Sequence, residues 1–243
     1  MPRCEHADEL DLSISSIATS LRAISDAIRQ CADRIDTTAT KGNDNNGESR
    51  MQLQRALRLI CKTADTPGAK VVFAGVGKSY LVGRKLAATM TSVGTPALCI
   101  HATEAVHGDL GIVNPADCVV LLSYSGATSE VVRLASVLRA TTTTTTTTTT
   151  TISSGGGGGG RRPYLVGMSG APMMMDSPLG TLCDAWIDCK VDAELSTVVC
   201  APTTSSSLTL AMGDAISMLL MARRNFGPSD FLRNHPGGQL GHD

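Results

Sequence analysis

Apolar positions along the chain follow two periods. Ile14, Ile17, Leu21, Ile24, Ile28, Cys31 and Ile35 alternate spacings of three and four in a segment free of Pro and Gly, which predicts a long amphipathic helix. Its stripe either lies on its own domain or packs against the same helix of a second subunit. Residues 36–48 carry almost no apolar side chain and read as a loop. Met51, Leu53, Leu57 and Ile60 mark the buried face of a second helix, which Pro67-Gly68 ends. The pattern then alternates between short apolar runs and helical stretches. It predicts strand 71–75, helix 79–92, strand 96–101, a short helix at 103–107, strand 118–123 and helix 129–139.

A tract of threonines at 141–151 and glycines at 155–160 follows, and 141–161 reads as a flexible surface loop without a role. Beyond it the pattern predicts a strand at 163–168, a short helix from Ser177-Pro178, a strand at 185–191 and a helix at 204–226. Three strands before the tract and two after it make a five-stranded parallel sheet in a three-layer α/β/α sandwich, so no domain boundary is placed there. The division expected is an N-terminal helical extension, 1–66, and an α/β domain, 67–243.

The 243 residues are 18% charged and 42% hydrophobic, an ordinary globular balance. A net charge of −1, with one Trp, three Tyr and three Phe, offers neither the basic stripe nor the stacking surface of a nucleic-acid binder. The eight cysteines are scattered singly, without Cys-x-x-Cys pairs, and suggest a reducing compartment. The polar N-terminal residues do not read as a secretory signal, and no run of about 18 apolar residues suggests a membrane span. A cytoplasmic location is expected.

The candidate chemistry lies where two strands end. VVFAG opens into Gly75 to Ser79 (GVGKS), and CVVLL opens into Ser123 to Glu130 (SYSGATSE). Each turn places backbone N–H groups and hydroxyls at a helix N-terminus, and two such turns on one parallel sheet are suited to one phosphate. The first turn is no Walker A loop, because Val72 stands where the leading Gly belongs. It is no dinucleotide fingerprint, because Tyr80 replaces the third Gly and Cys-Ile-His replaces the ribose-binding acid. Ser79, Ser123, Ser125 and Thr128 are the expected phosphate ligands, since hydroxyls and N–H groups surround an anion without adding fixed charge.

VVFAGVGKS, GTPALCIHATEAVHGDLG, LLSYSGATSE, APTTSS, MGDAIS and NHPGGQLG, in this order, resemble the sugar isomerase (SIS) domain of arabinose-5-phosphate isomerases over about Lys70 to Gly241. The resemblance implies a three-layer α/β/α fold and interconversion of D-ribulose 5-phosphate and D-arabinose 5-phosphate. It also implies no organic cofactor and a homotetramer with sites shared between subunits. Carried over by block, the catalytic residues fall on Lys78, Glu130, Glu194 and His235. His101 and His107 fall where the family contacts substrate, and His101 where it takes an inhibitory zinc. The same blocks bring Gly77, Gly94, Thr95 and Tyr124 to the substrate. Tyr80-Leu81 replaces a common Gly-His and is expected to narrow the pocket; Leu195 to Thr197 replaces a common Ala-Cys-Pro. Many members carry a C-terminal CBS pair, whereas this sequence stops at Asp243.

Isomerisation needs a held phosphate, a base for the proton moved between C1 and C2, and a group shuttling protons between O1 and O2. Glu194 is the expected base, with burial lifting its pKa toward working pH; the alternative is a surface glutamate. His235 would open the ring or exchange oxygen-bound protons, or is a solvated tail residue. Lys78 would stabilise enediolate oxygens or add to the phosphate site, or faces water at a helix start. Glu130 either orients Lys78 or caps its own helix. For His101 and His107 a structural role stands beside the functional one, and no His/Cys/carboxylate spacing makes a metal site in its own right. A non-catalytic sugar-phosphate sensor and an isomerase of another sugar, such as a hexulose phosphate, compete with the pentose isomerase.

Overall fold

Five apolar runs become strands β1 (Val71–Gly75), β2 (Ala97–His101), β3 (Cys118–Leu122), β4 (Tyr164–Ser169) and β5 (Ala185–Asp188), all parallel, in the spatial order β2-β1-β3-β4-β5. The computed structural model describes residues 5–36, 45–141, 162–171 and 177–237. The Thr/Gly tract beyond Thr141 lies outside the described residues, but β4 pairs with β3 in register, so one sheet runs across it.

Helices cover both faces, because β1 and β3 are buried along their whole length and need apolar cover on each side. One face carries α1 (Glu5–Asp36), α2 (Asn45–Ala64), α3 (Gly77–Ser92) and α6 (Thr204–Arg223), packed on Val71, Phe73, Val120, Leu122 and Met168. The other carries α4 (Ala102–Ala105) and α5 (Ser129–Ala140), packed on Val72, Ala74, Val119, Leu121 and Trp186. Gly167 leaves room for that Trp: a Cβ there would lie 2.1 Å from the indole.

The N-terminal helices share the main core through Ala27, Cys31, Ala56 and Ile60. The first half of the α1 stripe has no such cover, and Ile14, Ile17 and Leu21 are 58%, 62% and 63% exposed. Helix α6 is, among the described residues, long and apolar enough to cross a membrane by length and composition, although it is not an unbroken apolar run. Its Leu208, Met212, Ile216 and Leu220 are spent on the core. The long final helix breaks at Arg223, where Asn225 takes φ 50°, and a further helix α7 (Pro228–Asn234) follows.

Candidate functional site

The strand order reverses between β1 and β3. Helix α3 leaves β1 onto one face and α5 leaves β3 onto the other, so the turns after these two strands part and open a crevice at the carboxyl edge.

In the β1 turn, Val76 is extended and Gly77, at φ 56°, starts α3 with open space around it. No side chain caps this helix, so its first N–H groups lack partners within it. Gly75 allows the helix to start this close: a Cβ would sit 3.1 Å from the Ser79 carbonyl carbon and the Tyr80 nitrogen. Lys78 is exposed and Ser79 half-buried.

The β3 turn is tied more tightly. Ser123 is buried, its N–H donates to the Met168 carbonyl at 3.3 Å, and its hydroxyl pairs with that of Thr128 at 2.8 Å. Gly126, at φ 64°, donates back to the Ser123 carbonyl, and Ser125 Oγ accepts the Ala127 N–H at 3.2 Å. The end of β4 is latched on: Ser169 Oγ and the Gly170 N–H both donate to the Tyr124 carbonyl at 2.9 Å.

The two turns meet in one cavity. Lys78 and Ser79 from the first, Ser123 and Tyr124 from the second, Ser169 and Gly170 from β4, and Ser205, Ser206 and Thr209 from α6 line a space of about 50 Å³ over Val82, Leu122 and Met168. That is room for a few waters at ~10–15 Å³ each. Lys78 is the charged residue in this lining, which otherwise presents hydroxyls and backbone over an apolar floor, a setting that suits an anion. Ser125 and Thr128 spend their hydroxyls within the turn and do not line it.

Glu194 is held at the start of α6 and meets the cavity lining through Ser205. Its Oε2 accepts the Thr203 N–H at 2.8 Å, the Thr203 hydroxyl at 3.1 Å and the Ser205 N–H at 3.3 Å, while Oε1 accepts the Ser205 hydroxyl. Burial acts to raise its pKa, but the Ser205 and Thr203 hydrogen bonds outweigh burial and hold the carboxyl below its ordinary range. This corrects the expectation of a raised value: donors at a helix N-terminus, and not an apolar wall, surround the group.

Glu130 is exposed in the first turn of α5 and accepts the Ser129 hydroxyl at 2.9 Å. Its own backbone N–H, then Ser129, lower its pKa, with a smaller contribution from His101. No hydrogen bond or ion pair among the described residues joins it to Lys78; its partners are its own N–H and Ser129.

His101 ends β2 beside Gly75, with its ring edge-on to Tyr80 at 5.0 Å. Its Nδ1 is buried without a hydrogen-bond partner. Tyr80 lies under Arg84 at 5.9 Å and Leu81 is 59% exposed, and neither lines the cavity they were expected to narrow. His107 is exposed just after α4. Among the described residues no group of three His, Cys or acidic side chains is arranged to hold a metal ion, so those around His101 do not by themselves fit zinc.

Three residues stand elsewhere in the chain. His235 ends α7, stacks on Phe231 at 3.9 Å, bonds the Phe231 carbonyl through Nδ1 at 2.8 Å, and lines a groove with Thr91 and Ser92. That groove is roughly 20 Å down the α3 axis from Lys78 at 1.5 Å per residue. Gly94 and Thr95 sit in the turn entering β2, at the amino edge of the sheet. Gly94 (φ 92°) packs against Phe226, and Thr95 is buried with its hydroxyl unpartnered. Within one chain, then, the structure gathers Lys78, Ser79, Ser123, Tyr124 and, through Ser205, Glu194, and leaves His235, Gly94 and Thr95 apart.

The SIS domain family matches residues 67–152. The chain carries a SIS domain. Arabinose 5-phosphate isomerase KpsF of Escherichia coli is 38% identical over 192 residues, which is 78% of this chain and 51% of the relative. Arabinose 5-phosphate isomerase GutQ of Escherichia coli K12 is 38% identical over 172 residues, 71% of this chain and 46% of the relative. The chain thus spans about half the length of the curated relatives it matches. A solved protein of Escherichia coli CFT073 in complex with arabinose 5-phosphate superposes with a TM-score of 0.69 at 29% identity, covering 96% of this chain and all (100%) of that one. The Vibrio vulnificus NanR protein complexed with ManNAc-6P shares the fold, with a TM-score of 0.61 at 18% identity over 94% of this chain and 69% of that one.

The structure adds Ser169, Ser205, Ser206 and Thr209, which sequence reasoning does not single out, to the cavity lining. The signal for the α6 group was present in the run of hydroxyls after Pro202, which reads as a cap; only the fold turns it toward the turns of β1 and β3. Ser169 has no local signature, since it is the last residue of a buried strand.

Proposed function

We propose that the chain is an aldose–ketose isomerase that interconverts D-ribulose 5-phosphate and D-arabinose 5-phosphate through a cis-enediol. The observation that carries this reading is the single cavity shared by Ser79 and Ser123, with Glu194 one hydroxyl away. The identity with arabinose 5-phosphate isomerases supports the choice of sugar. Ser79, Ser123, the Gly77 to Ser79 amides and Tyr124 hold the phosphate end, and Lys78 stabilises enediolate charge. Glu194, ionised at neutral pH, takes the carbon-bound proton. Glu130, His101 and His107 border the sugar on the β2 side, with Ser125 and Thr128 keeping the β3 turn in shape.

His235 acts in this reading from a neighbouring copy, which makes the working form a homo-oligomer, a tetramer by the family resemblance, while Gly94 and the buried Thr95 shape the turn into β2. The uncovered Ile14, Ile17 and Leu21 of α1 supply apolar surface for it. The reading includes residues 1–66 as a helical extension of the 67–243 catalytic domain, a cytoplasmic location, and no organic cofactor, nucleic-acid or membrane partner.

A second reading, a sugar-phosphate sensor without catalysis, is favoured by one observation: the phosphate cavity is complete in one chain while His235 is not in it. Incubation with ribulose 5-phosphate in deuterated water, followed by NMR, separates the two. Deuterium at C2 of an arabinose phosphate is the outcome expected of the isomerase. Tight binding with no exchange replaces it by the sensor.

A further inference from the structure

The two carboxylate oxygens of Glu194 are unequally held. Oε2 receives three donors, the Thr203 N–H and hydroxyl and the Ser205 N–H, and so anchors the carboxylate to the start of α6. Oε1 has one hydrogen-bond partner among the described residues, the Ser205 hydroxyl. Ser205 is itself 2% exposed, and that small opening belongs to the cavity floored by Leu122 and Met168. The Ser205 hydroxyl thus ties Glu194, which does not itself line that cavity, to a residue that does.

We infer that Ser205 is the positioning residue of Glu194: it holds Oε1 toward the cavity as the proton-accepting oxygen, while Oε2 stays fixed on the helix terminus. The inference rests on the isomerase reading for its chemistry but not for its geometry. In the isomerisation step the C–H bond of the sugar breaks and its proton bonds to Oε1. The C–H electron pair becomes the C1–C2 double bond of the enediolate, and the carbonyl π pair moves onto its oxygen, whose negative charge Lys78, in the same cavity lining, offsets. Ser205 keeps its proton throughout and yields only its hydrogen bond. Oε1 must be ionised to begin, and the donated hydrogen bond favours that form. The other titratable group coupled to Glu194 is the Tyr124 phenol, raised above its usual value by burial, and Lys78 lines the same cavity; neither is altered by changing Ser205.

The test follows the Glu194 side-chain carboxyl by carbon-13 NMR titration of the full chain, which needs no turnover. In Ser205→Ala the midpoint should rise by roughly one pH unit, the loss of one hydrogen bond to a charged acceptor, and Ser205→Thr should restore it. The acid limb of kcat should move with it, with kcat reduced about tenfold and KM changed less. A folded Ser205→Ala whose Glu194 midpoint is unmoved overturns the inference, as does a lowered melting temperature with an unshifted acid limb, which marks a purely structural hydroxyl. If Ser205→Ala does not fold, Ser205→Cys, a weaker donor, carries the same test and should give an intermediate rise. An unmoved midpoint there also overturns the inference. Wild-type protein with no deuterium exchange removes the isomerase reading while leaving the carboxyl titration to decide the role of Ser205.

Discussion

The turns after β1 and β3 look like twins in sequence and behave differently in the fold. Both follow a fully buried strand, both contain a glycine at positive φ, and both lead into a helix with no side-chain cap. The β1 turn leaves Lys78 and Ser79 facing the cavity. In the β3 turn Ser125 and Thr128 are consumed by Ala127 and Ser123, leaving Ser123 and Tyr124 to line the space. The difference is one of local satisfaction: the Ser125 hydroxyl meets the N–H two residues on within its turn, whereas that of Ser79, in the first turn of α3, has no hydrogen-bond partner among the described residues.

That contrast breaks first at its glycines. A Cβ on Gly126 would meet Ser177 Oγ at 2.4 Å as well as a left-handed backbone, so Gly126→Val should cost about 3 kcal/mol or more, lowering the melting temperature by roughly 10 °C. Gly77→Ala meets the same sign of φ but open space, and should cost only about 1 kcal/mol in the same thermal melt. For the hydroxyls, Ser79→Ala should raise KM for the sugar phosphate about tenfold, the size of one lost hydrogen bond to a charged group. Ser125→Ala should change it less than about twofold in the same steady-state assay, since only a turn contact is removed.

The smallest effect concerns pH. Glu194 is held below its unfolded value, so its contribution to stability is present above about pH 4.3 and is lost as pH falls through the lowered folded value. Urea melts across that window should show this acid-side loss, and Glu194→Gln should flatten it.

The sheet was legible because each strand is a short, mostly apolar run closed by Gly, His, Ser or Asp. Strands β1 and β3 fall where the alternation of patterns puts them, and β5 stops at Asp188, short of the expected 191, where the carboxylate turns to Ser49 and the Lys190 N–H. Helix α7 escaped notice although Pro228 and the Asp230 bond to the Gly227 N–H mark its start, because seven residues give too short a period. The Ser79–Ser123 convergence was legible from the parallel topology. The capture of Glu194 by the α6 terminus was not, since residues 195–202 between them have no periodic pattern and their path decides which donors the carboxylate meets.

The most direct measurement is a crystal structure of the chain with arabinose 5-phosphate. The phosphate should lie between the turns, with its oxygens within hydrogen-bond reach of both Ser79 and Ser123 and the sugar directed toward Ser205 and Glu194. A phosphate seated on one turn alone, or in the groove beside His235, would contradict the account.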